Sequence, residues 1–350
     1  MLIINDVHIG FDRKGGTTPK SRETLRDYLF LSLETLLRET NDADVMILGD
    51  LFDQFEVPNR DFVQTLTLLV DQVIARDRRL ILVAGNHDVS MKALKVSSFS
   101  MLCSVLSAVN SRLVKVVAID EVAQVPGGLA VAHCSNQDVF NLRLKEVTES
   151  LEDGQIVFLH ANLDNKFAVE SDHSLNVSED MAKSLISRGA TLVFAHEHQA
   201  RRLYGGRAVV LGNQFCTSIA DCLNNSEKFA HRLHSDGTLE KIRTWSRDGD
   251  VGGYREIDWR ELTESNADFI KVVGEAASNE ASEVINKLAD FRKRSEAFVV
   301  TNAVKIEGVA AVESLPETFE AAKAFDVMEF LARQLSQEQM VAVNKLLEKV

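Results

Sequence analysis

Short apolar runs alternate with helically spaced apolar positions along the first 215 residues of the 350-residue chain. The run at 44–49 has the length and the Val, Ile and Leu content of a buried strand, whereas Leu25, Leu29 and Leu33 recur at helical spacing. Alternating strands and helices predict an α/β fold whose sheets are covered on both faces. The predicted strands are 1–5, 44–49, 80–84, 113–119, 129–132, 155–159, 191–195 and 208–211, and the predicted helices are 25–36, 62–73, 94–109, 140–151 and 179–188.

The pattern changes after residue 215. A hairpin is predicted from strands 229–234 and 238–245 around the turn Asp236-Gly237, and the glycine-rich stretch 246–253 is typical of a linker. A small α+β unit follows, with strands at 254–258 and 298–306 and a helix at 280–293, and the last part is helical with a capping box at Ser336 and Gln339. We therefore expect three parts, which are 1–245, 254–312 and 316–350.

Composition and charge narrow the functional classes. A hydrophobic fraction of 45% is normal for a packed globular protein, and no apolar run of 18 residues predicts a membrane helix. The N-terminus has no basic, apolar signal segment, so we expect a cytoplasmic protein with its four scattered cysteines reduced. The net charge of −13 argues against a general nucleic-acid binder. It does not exclude a nuclease, because two bound divalent metals add about four positive charges locally.

Polar motifs follow five of the predicted strands, at the edge of an α/β sheet where sites are built. Their metal-binding side chains offer only nitrogen and oxygen donors, which favours Mn, Fe or Zn over a thiolate structural site. In chain order the motifs are Asp6-Val7-His8, Gly49-Asp50, Gly85-Asn86-His87-Asp88, His160 and His196-Glu197-His198.

Such a set suits two-metal hydrolysis of a phosphodiester. Two metals about 3.5–4 Å apart lower the pKa of a bridging water and clamp the transition state. A bridging carboxylate holds the pair, and Asp50 is the natural candidate. Asn86 would ligate through its amide oxygen without adding charge. His87, beside it, would protonate the leaving alkoxide or stabilise phosphoryl charge.

The five motifs, in this order, resemble the calcineurin-like metallophosphoesterase superfamily over residues 1 to about 215. The resemblance implies a four-layer α/β/β/α sandwich with catalytic His87, oriented by the carboxylate of Asp88. Ala195 stands where such families often have glycine, a change that removes no ligand. The implied ligands are Asp6, His8 and His198 on one metal, Asp50 as the bridge, and Asn86, His160 and His196 on the other.

The surroundings of the motifs distinguish between members of the superfamily. Ser/Thr protein phosphatases carry an arginine in G-D-x-V-D-R-G and a glutamate after G-N-H, whereas this chain has Gln54 and Asp88. The run 49–53 with Pro58, and the polar loop 11–22, resemble SbcD-type nuclease subunits, the bacterial and phage relatives of the eukaryotic double-strand-break repair nuclease. Chain length and motif order are similar to the T-even-like phage members. In that family the loop lies near DNA, which here would involve Arg13, Lys14, Lys20 and Arg22; alternatively, it is a solvated loop.

The same resemblance implies partners. SbcD-type proteins carry a capping domain, here 254–312, and C-terminal helices that bind the coiled coil of an SMC-like ATPase, here 316–350. This chain has no P-loop motif, so ATP dependence would come from that partner. The apolar stretch 99–109 corresponds to helices that form a homodimer in the family. The apolar positions expected to bind the ATPase are Phe325, Met328, Leu331, Leu335, Met340, Val343, Leu346 and Leu347.

The leading hypothesis is a DNA nuclease subunit that uses two Mn²⁺ ions, with Mg²⁺, Fe or Zn as alternatives, in the cytoplasm of a cell or of a phage host. A second hypothesis is a phosphodiesterase acting on a nucleotide or another small ester, and a third is a scaffold for the ATPase. The sequence leaves open the exonuclease polarity, the preference for single or double strands, the native metal and the activity of the isolated subunit.

Overall fold

Strands and helices alternate through most of the chain, as the apolar pattern predicts. The computed structural model describes residues 1–11, 19–89, 95–165, 174–248, 253–263 and 265–307, with side chains excluded for 19–22. The α-helices are α1 (Pro19–Glu39), α2 (Asn59–Leu69), α3 (Ser98–Asn110), α4 (Gln137–Ser150), α5 (Glu179–Ser187), α6 (Ile219–Asn224) and α7 (Ala281–Arg294). The strands are β1 (Leu2–Ile4), β2 (Asp44–Leu48), β3 (Arg79–Val83), β4 (Val114–Val117), β5 (Val122–Val125), β6 (Gly128–Val131), β7 (Ile156–His160), β8 (Asn162–Leu163), β9 (Asn176–Val177), β10 (Thr191–Ala195), β11 (Arg201–Leu203), β12 (Ala208–Val210), β13 (Glu227–Leu233), β14 (Leu239–Ser246), β15 (Tyr254–Asp258), β16 (Phe269–Val273), β17 (Glu275–Ala276), β18 (Val299–Asn302) and β19 (Lys305–Ile306).

Two six-stranded sheets form the main body. The first has the order β14-β13-β1-β2-β3-β4, with β1 to β4 parallel and the hairpin β13–β14 added antiparallel to β1. The second has the order β11-β12-β10-β7-β6-β5, with four parallel inner strands and an antiparallel strand at each edge. Parallel neighbours need crossover connections. The helices α1 to α5 supply them except between β10 and β12, which are connected through β11.

The two sheets pack face to face. Along β7, Phe158 belongs to the large apolar cluster that includes β1 to β4 and helices α1 to α3, whereas Val157 and Leu159 belong to a second cluster with α4 and α5. The alternation of strand side chains therefore directs one face of the second sheet to the first sheet and the other to helices. This arrangement confirms the expected four-layer α/β/β/α sandwich.

A third, parallel sheet of order β15-β16-β18 carries α7 and has its own apolar cluster, which includes Trp259, Ile270 and Phe291. Phe269 and Phe298 belong instead to the large cluster of the main body, and the Phe298 ring lies 4.8 Å from that of Tyr28, centroid to centroid. The expected boundary at 312 and the expected helical segment 316–350 fall outside the described residues, as do 249–252 of the expected linker.

Some predicted elements were wrong in extent. The helix expected over 94–109 begins at Ser98, because the Ser97 side chain accepts a hydrogen bond from Ser100 N and caps the helix there. The strand expected over 298–306 is divided into β18 and β19, which pair in different sheets. The middle strand β16, the edge strands β5 and β11 and the short helix α6 were not predicted.

None of the helices in the described part of the chain combines the length and the apolar character that a bilayer span requires. The four cysteines are all buried and free, as expected.

Candidate metal centre

The five polar motifs meet at one edge of the sandwich. Each follows or ends a strand of the parallel parts of the two sheets. Two contacts join the sheets there. Asp6 Oδ2 accepts a hydrogen bond from His196 N at 3.1 Å, and His160 Nε2 lies 3.2 Å from Asp50 Oδ2. The order of the strands therefore brings residues as distant in sequence as 6 and 196 into one site.

The backbone is strained at this edge. Asp6, His8, Asp50 and His196 have φ values of 48°, 54°, 50° and 86°, in the left-handed region that side-chain-bearing residues rarely adopt. Each such residue costs roughly 1–3 kcal/mol and persists only where the surrounding structure imposes it. Four of the seven residues predicted as ligands share this feature, which indicates that the surrounding structure imposes the backbone conformation at the site.

Two motif glycines are required by close packing. A Cβ on Gly49 would overlap the ring of His160, and a Cβ on Gly85 would overlap the carboxylate and the backbone nitrogen of Asp50. Glycine therefore precedes Asp50 and Asn86 because a side chain would occupy the space of the candidate ligands.

Six of the seven predicted ligands fall into two groups of candidate ligand atoms. Within each group the atoms lie within 4.8 Å of one another. The first group, called subsite 1 below, is Asp6, His8 and His198, and the second, called subsite 2, is Asp50, His160 and His196. The seventh predicted ligand, Asn86, belongs with subsite 2, because its Oδ1 lies 3.0 Å from His160 Nε2.

The donors of subsite 1 suit a divalent cation. Asp6 Oδ2 accepts from Asn5 Nδ2 at 2.6 Å, in addition to His196 N, while Asp6 Oδ1 and His8 Nε2 are buried without a hydrogen-bond partner among the described residues. A buried polar atom without a partner costs about 1–3 kcal/mol. A carboxylate oxygen and an imidazole nitrogen are ligands for Mn, Fe or Zn, so a bound ion would satisfy both.

Subsite 2 is equally well prepared. His160 Nδ1 donates to Leu48 O at 3.1 Å, which leaves Nε2 pointing to Asp50 Oδ2 and Asn86 Oδ1. A backbone acceptor on one ring nitrogen is the usual way in which a protein orients a metal-binding histidine. Asp50 Oδ2 and Asn86 Oδ1 thus both face His160 Nε2.

The charges of Asp50 and its neighbours are strongly coupled. Burial alone would raise the pKa of Asp50, but the positive charges of His160 and His87 outweigh it and hold the pKa well below its usual range. Burial would lower the pKa of His160, yet the Asp50 carboxylate raises it to about 9. A site that stabilises positive charge beside a buried carboxylate in this way is suited to cations.

His87 lies at the site but outside the two subsites. Its Nδ1 contacts the carbonyl oxygen of Asp53 at 2.5 Å, and its backbone N–H donates to Asp50 Oδ1 at 3.0 Å. Its ring packs edge-on against that of His8, with centroids 5.1 Å apart. Burial lowers the pKa of His87, but the carboxylates of Asp50 and Asp53 more than compensate and the pKa is raised.

Asp88 does not make the contact that the resemblance implied. Its two oxygens accept hydrogen bonds from the backbone N–H groups of Gly85, at 3.0 Å, and of Phe52, at 3.2 Å. Asp88 therefore ties the two motif loops together, and the acceptor that orients the His87 ring is the Asp53 carbonyl. Burial, followed by the negative charge of Asp50, raises the pKa of Asp88 to about 7.

Two carboxylates at the site were missed by the sequence reasoning. Asp53 Oδ1 lies 3.3 Å from His8 Nδ1, and Asp53 forms a third potential metal-binding group with His8 and His87. Asp221 Oδ1 lies 2.9 Å from His198 Nδ1. Asp53 carried a weak signal for the site, because it is the last residue of the run 49–53 that resembles SbcD-type nucleases. Asp221 follows no long apolar run, so no comparable signal marks it.

An open pocket of about 350 Å³ exposes this centre. The motif residues that line it are His8, Asp50, His87, His196 and His198. No lysine or arginine is among the described residues of its lining. A larger groove of about 780 Å³ lies against α1 and β14, but none of the motif residues lines it. The remaining residues of the smaller pocket are Asn162, Asn165, Glu197, Gln199 and Asn224.

The side chains of the four basic residues expected near DNA lie outside the described part of the structure. Arg13 and Lys14 fall outside the described residues, and only the backbone of Lys20 and Arg22 is described, within α1.

Comparison with known proteins adds one match. The family model described as calcineurin-like phosphoesterase matches residues 1–200. That range ends just after His198 and so includes all of the predicted ligands, but neither Asp221 nor the third sheet. A search of curated proteins finds no match.

Proposed function

Because this chain belongs to the calcineurin-like phosphoesterase family, we propose that it is a DNA nuclease subunit that hydrolyses phosphodiesters with two Mn²⁺ ions. The family makes the protein a metal-dependent phosphoester hydrolase, and the paired groups at subsites 1 and 2 provide candidate ligands. The DNA substrate, the choice of Mn²⁺ and the partners are the proposed part.

The observation that carries the proposal is the shared pocket of the two subsites, with Asp50 between His160 and His87. When bound there, two divalent ions would lower the pKa of a water molecule and neutralise phosphoryl charge. His87 lines the pocket, and its Nδ1 is engaged by the Asp53 carbonyl. Its Nε2 is the atom that would donate a proton to the leaving 3′-oxygen.

The position of the third sheet favours a polymeric substrate. None of the described residues in 253–307 lines the pocket. An enzyme for a small ester usually encloses its ligand, whereas a nuclease needs an opening that a strand can cross. The missing phosphatase arginine, replaced by Gln54, and the resemblance of the run 49–53 to SbcD-type nucleases support the same substrate.

The partners are proposed on separate grounds. Met101, Val105 and Val109 are exposed at successive four-residue intervals of α3, which makes one unpartnered apolar face and supports a homodimer. The SMC-like ATPase is proposed from the resemblance and from the apolar spacing within 316–350, a segment outside the described residues.

A second candidate is a phosphodiesterase for a nucleotide or another small ester. Two observations favour it, namely the net charge of −13 and the lack of lysine and arginine among the described residues lining the pocket. The scaffold hypothesis has no such support, because the complete ligand set is the pattern of an active site.

A cleavage assay on two substrates separates the candidates. Full-length protein with Mn²⁺ would be given end-labelled duplex DNA and a small phosphodiester, with His87→Ala and chelator as controls. The nuclease proposal predicts DNA cleavage that both controls abolish. Hydrolysis of the small diester without cleavage of DNA, even with an ATPase partner added, would establish the second candidate instead.

A further inference from the structure

The ring of His198 is oriented by a carboxylate outside the motif. Asp221, in α6, is 2% exposed, and its Oδ1 lies 2.9 Å from Nδ1 of His198. A carboxylate is an acceptor only, so the proton of the neutral imidazole is held at Nδ1. Nε2 is then the unprotonated nitrogen, which is the form that binds a metal.

The Asp221 carboxylate is itself fixed. Its Oδ2 accepts from Thr217 N at 2.9 Å, from Thr217 Oγ1 at 2.8 Å and from Ser218 N at 3.1 Å. Ser218 Oγ in turn accepts from Asp221 N at 3.2 Å, which completes a capping box at the start of α6. Rotation of the carboxylate would break several of these bonds, so Oδ1 stays directed at His198.

Two residues that follow α6, Asn225 and Lys228, also hold the loop that carries His198. Lys228 Nζ donates to His198 O at 3.4 Å and to Asn213 Oδ1 at 2.6 Å, and Ala200 N donates to Asn225 Oδ1 at 3.1 Å. The ring and the backbone of His198 are thus both set by residues beyond position 200, where the family match ends.

We propose that Asp221 is a positioning residue that fixes the tautomer and the direction of the His198 ring and thereby sets the metal affinity of subsite 1. The inference rests on the proposed metal-dependent function, but not on DNA as the substrate. Loss of such an outer carboxylate typically weakens metal binding by about 10–100-fold. Subsite 2 should be unaffected, because Asp221 pairs with His198 and the ring of His160 is oriented by the carbonyl of Leu48.

Titration of the full-length chain with Mn²⁺, followed by calorimetry and by electron paramagnetic resonance, tests the proposal. The wild type should bind two ions and give the spectrum of a coupled pair. Asp221→Asn should retain one site of unchanged affinity, bind the second about 10–100-fold more weakly and give a single-ion spectrum at low Mn²⁺. Asp221→Glu, which keeps the charge, should recover part of the affinity.

Ser218→Ala is the matched control. It loosens the cap of α6 but keeps the pair of Asp221 and His198, so both Mn²⁺ affinities should stay within about twofold of wild type. If Asp221→Asn lowers the melting temperature of the metal-free protein yet binds both ions with wild-type affinity, Asp221 has only a structural role and the proposal is wrong.

A measurement on the wild type covers the case in which Asp221→Asn does not fold. Nitrogen-15 spectra of histidine-labelled protein, with His198 assigned by comparison with His198→Gln, should show the proton on Nδ1. A proton on Nε2 would overturn the proposal. Two-ion binding without DNA cleavage would remove the proposed substrate and leave the role of Asp221 intact.

Discussion

His160 Nε2 lies 3.2 Å from Asp50 Oδ2, and this contact joins the two sheets of the sandwich. Asp50 follows β2 in the first sheet, and His160 is the last residue of β7 in the second. Both side chains are buried, and the opposite charge of each is the largest charge effect on the pKa of the other. The candidate metal centre is therefore also a contact between the layers, so changes there should affect both metal binding and stability.

Asp50→Asn should abolish the response of stability to metal. Ligands that bind only the folded state stabilise it, by about 2.7 kcal/mol at a concentration 100 times the dissociation constant. Mn²⁺ should thus raise the melting temperature of the wild type, and the variant, which lacks the bridging charge, should show little shift. Differential scanning fluorimetry with Mn²⁺ and with chelator measures the shift in melting temperature. An equal shift in both proteins would show that Asp50 is not a ligand.

His87→Ala should lower kcat and leave metal binding intact. A positioned general acid contributes about 10²–10⁴-fold to the rate, and His87 lies outside subsites 1 and 2. The check combines steady-state kinetics with a Mn²⁺ titration of the same preparation. If the affinity for Mn²⁺ falls in parallel with kcat, His87 is a ligand and not a proton donor.

Gly85→Ala should disrupt the centre because its Cβ would overlap Asp50. Overpacking of this kind costs about 1–3 kcal/mol and should displace the carboxylate, so Mn²⁺ binding should be lost as well. Gly154→Ala is the control, since its Cβ would have no neighbour within 4 Å, although φ is +80°. It should lower stability by about 1–2 kcal/mol, the cost of the left-handed backbone, and keep Mn²⁺ binding. Chemical denaturation and calorimetry distinguish the two variants.

A charge on the exposed face of α3 should dissociate the proposed homodimer. Met101 and Val105 are 44% and 36% exposed, so Met101→Glu combined with Val105→Glu should leave the monomer folded. Sedimentation velocity should show a dimer for the wild type and a monomer for the variant. Leu142→Glu, at an exposed leucine of α4, should remain dimeric. A wild type that is monomeric at micromolar concentration would refute the dimer.

Asp268→Asn should stabilise the protein above neutral pH. Burial raises the pKa of Asp268 to about 6, from an ordinary value of 3.8. The folded state thus holds the proton more tightly than the unfolded state, so stability falls as pH rises from about 4 to about 6 and stays lower above that. Asparagine carries no such penalty, and about 1–2 kcal/mol should be regained at pH 8 after allowance for partial exposure. Urea unfolding at pH 8 and pH 4 measures the change in the free energy of unfolding. A gain in stability at pH 4 alone would contradict a raised pKa of Asp268.

The sequence predicted the parts of the site that depend on local pattern. Apolar runs located the strands, and the polar residues at their ends, such as Asp6 and His160, could be named because parallel strands end at a common edge. The resemblance to the calcineurin-like superfamily, carried by the five motifs, implied the four-layer sandwich. Strand β16 was not predicted, although it is a mainly apolar run followed by Gly274, a pattern that favours a strand.

Other parts of the site leave no trace in local pattern. The acceptor for His87 is a backbone carbonyl, so the identity of the side chain at Asp53 does not reveal it. Asp88 was expected to serve His87, but its oxygens are used by two amides, one of them 36 residues away. Asp221 acts across 23 residues from a helix of six residues. Such contacts depend on tertiary packing, which spacing does not encode.

The most direct test of the metal centre is a crystal of the full-length protein grown with Mn²⁺ and measured at the manganese absorption edge. Two anomalous peaks are expected about 3.5–4 Å apart, with Asp50 touching both. One should contact Asp6, His8 and His198, and the other Asn86, His160 and His196. A single peak, or peaks away from Asp50, would contradict the two-metal centre on which the proposed hydrolysis depends.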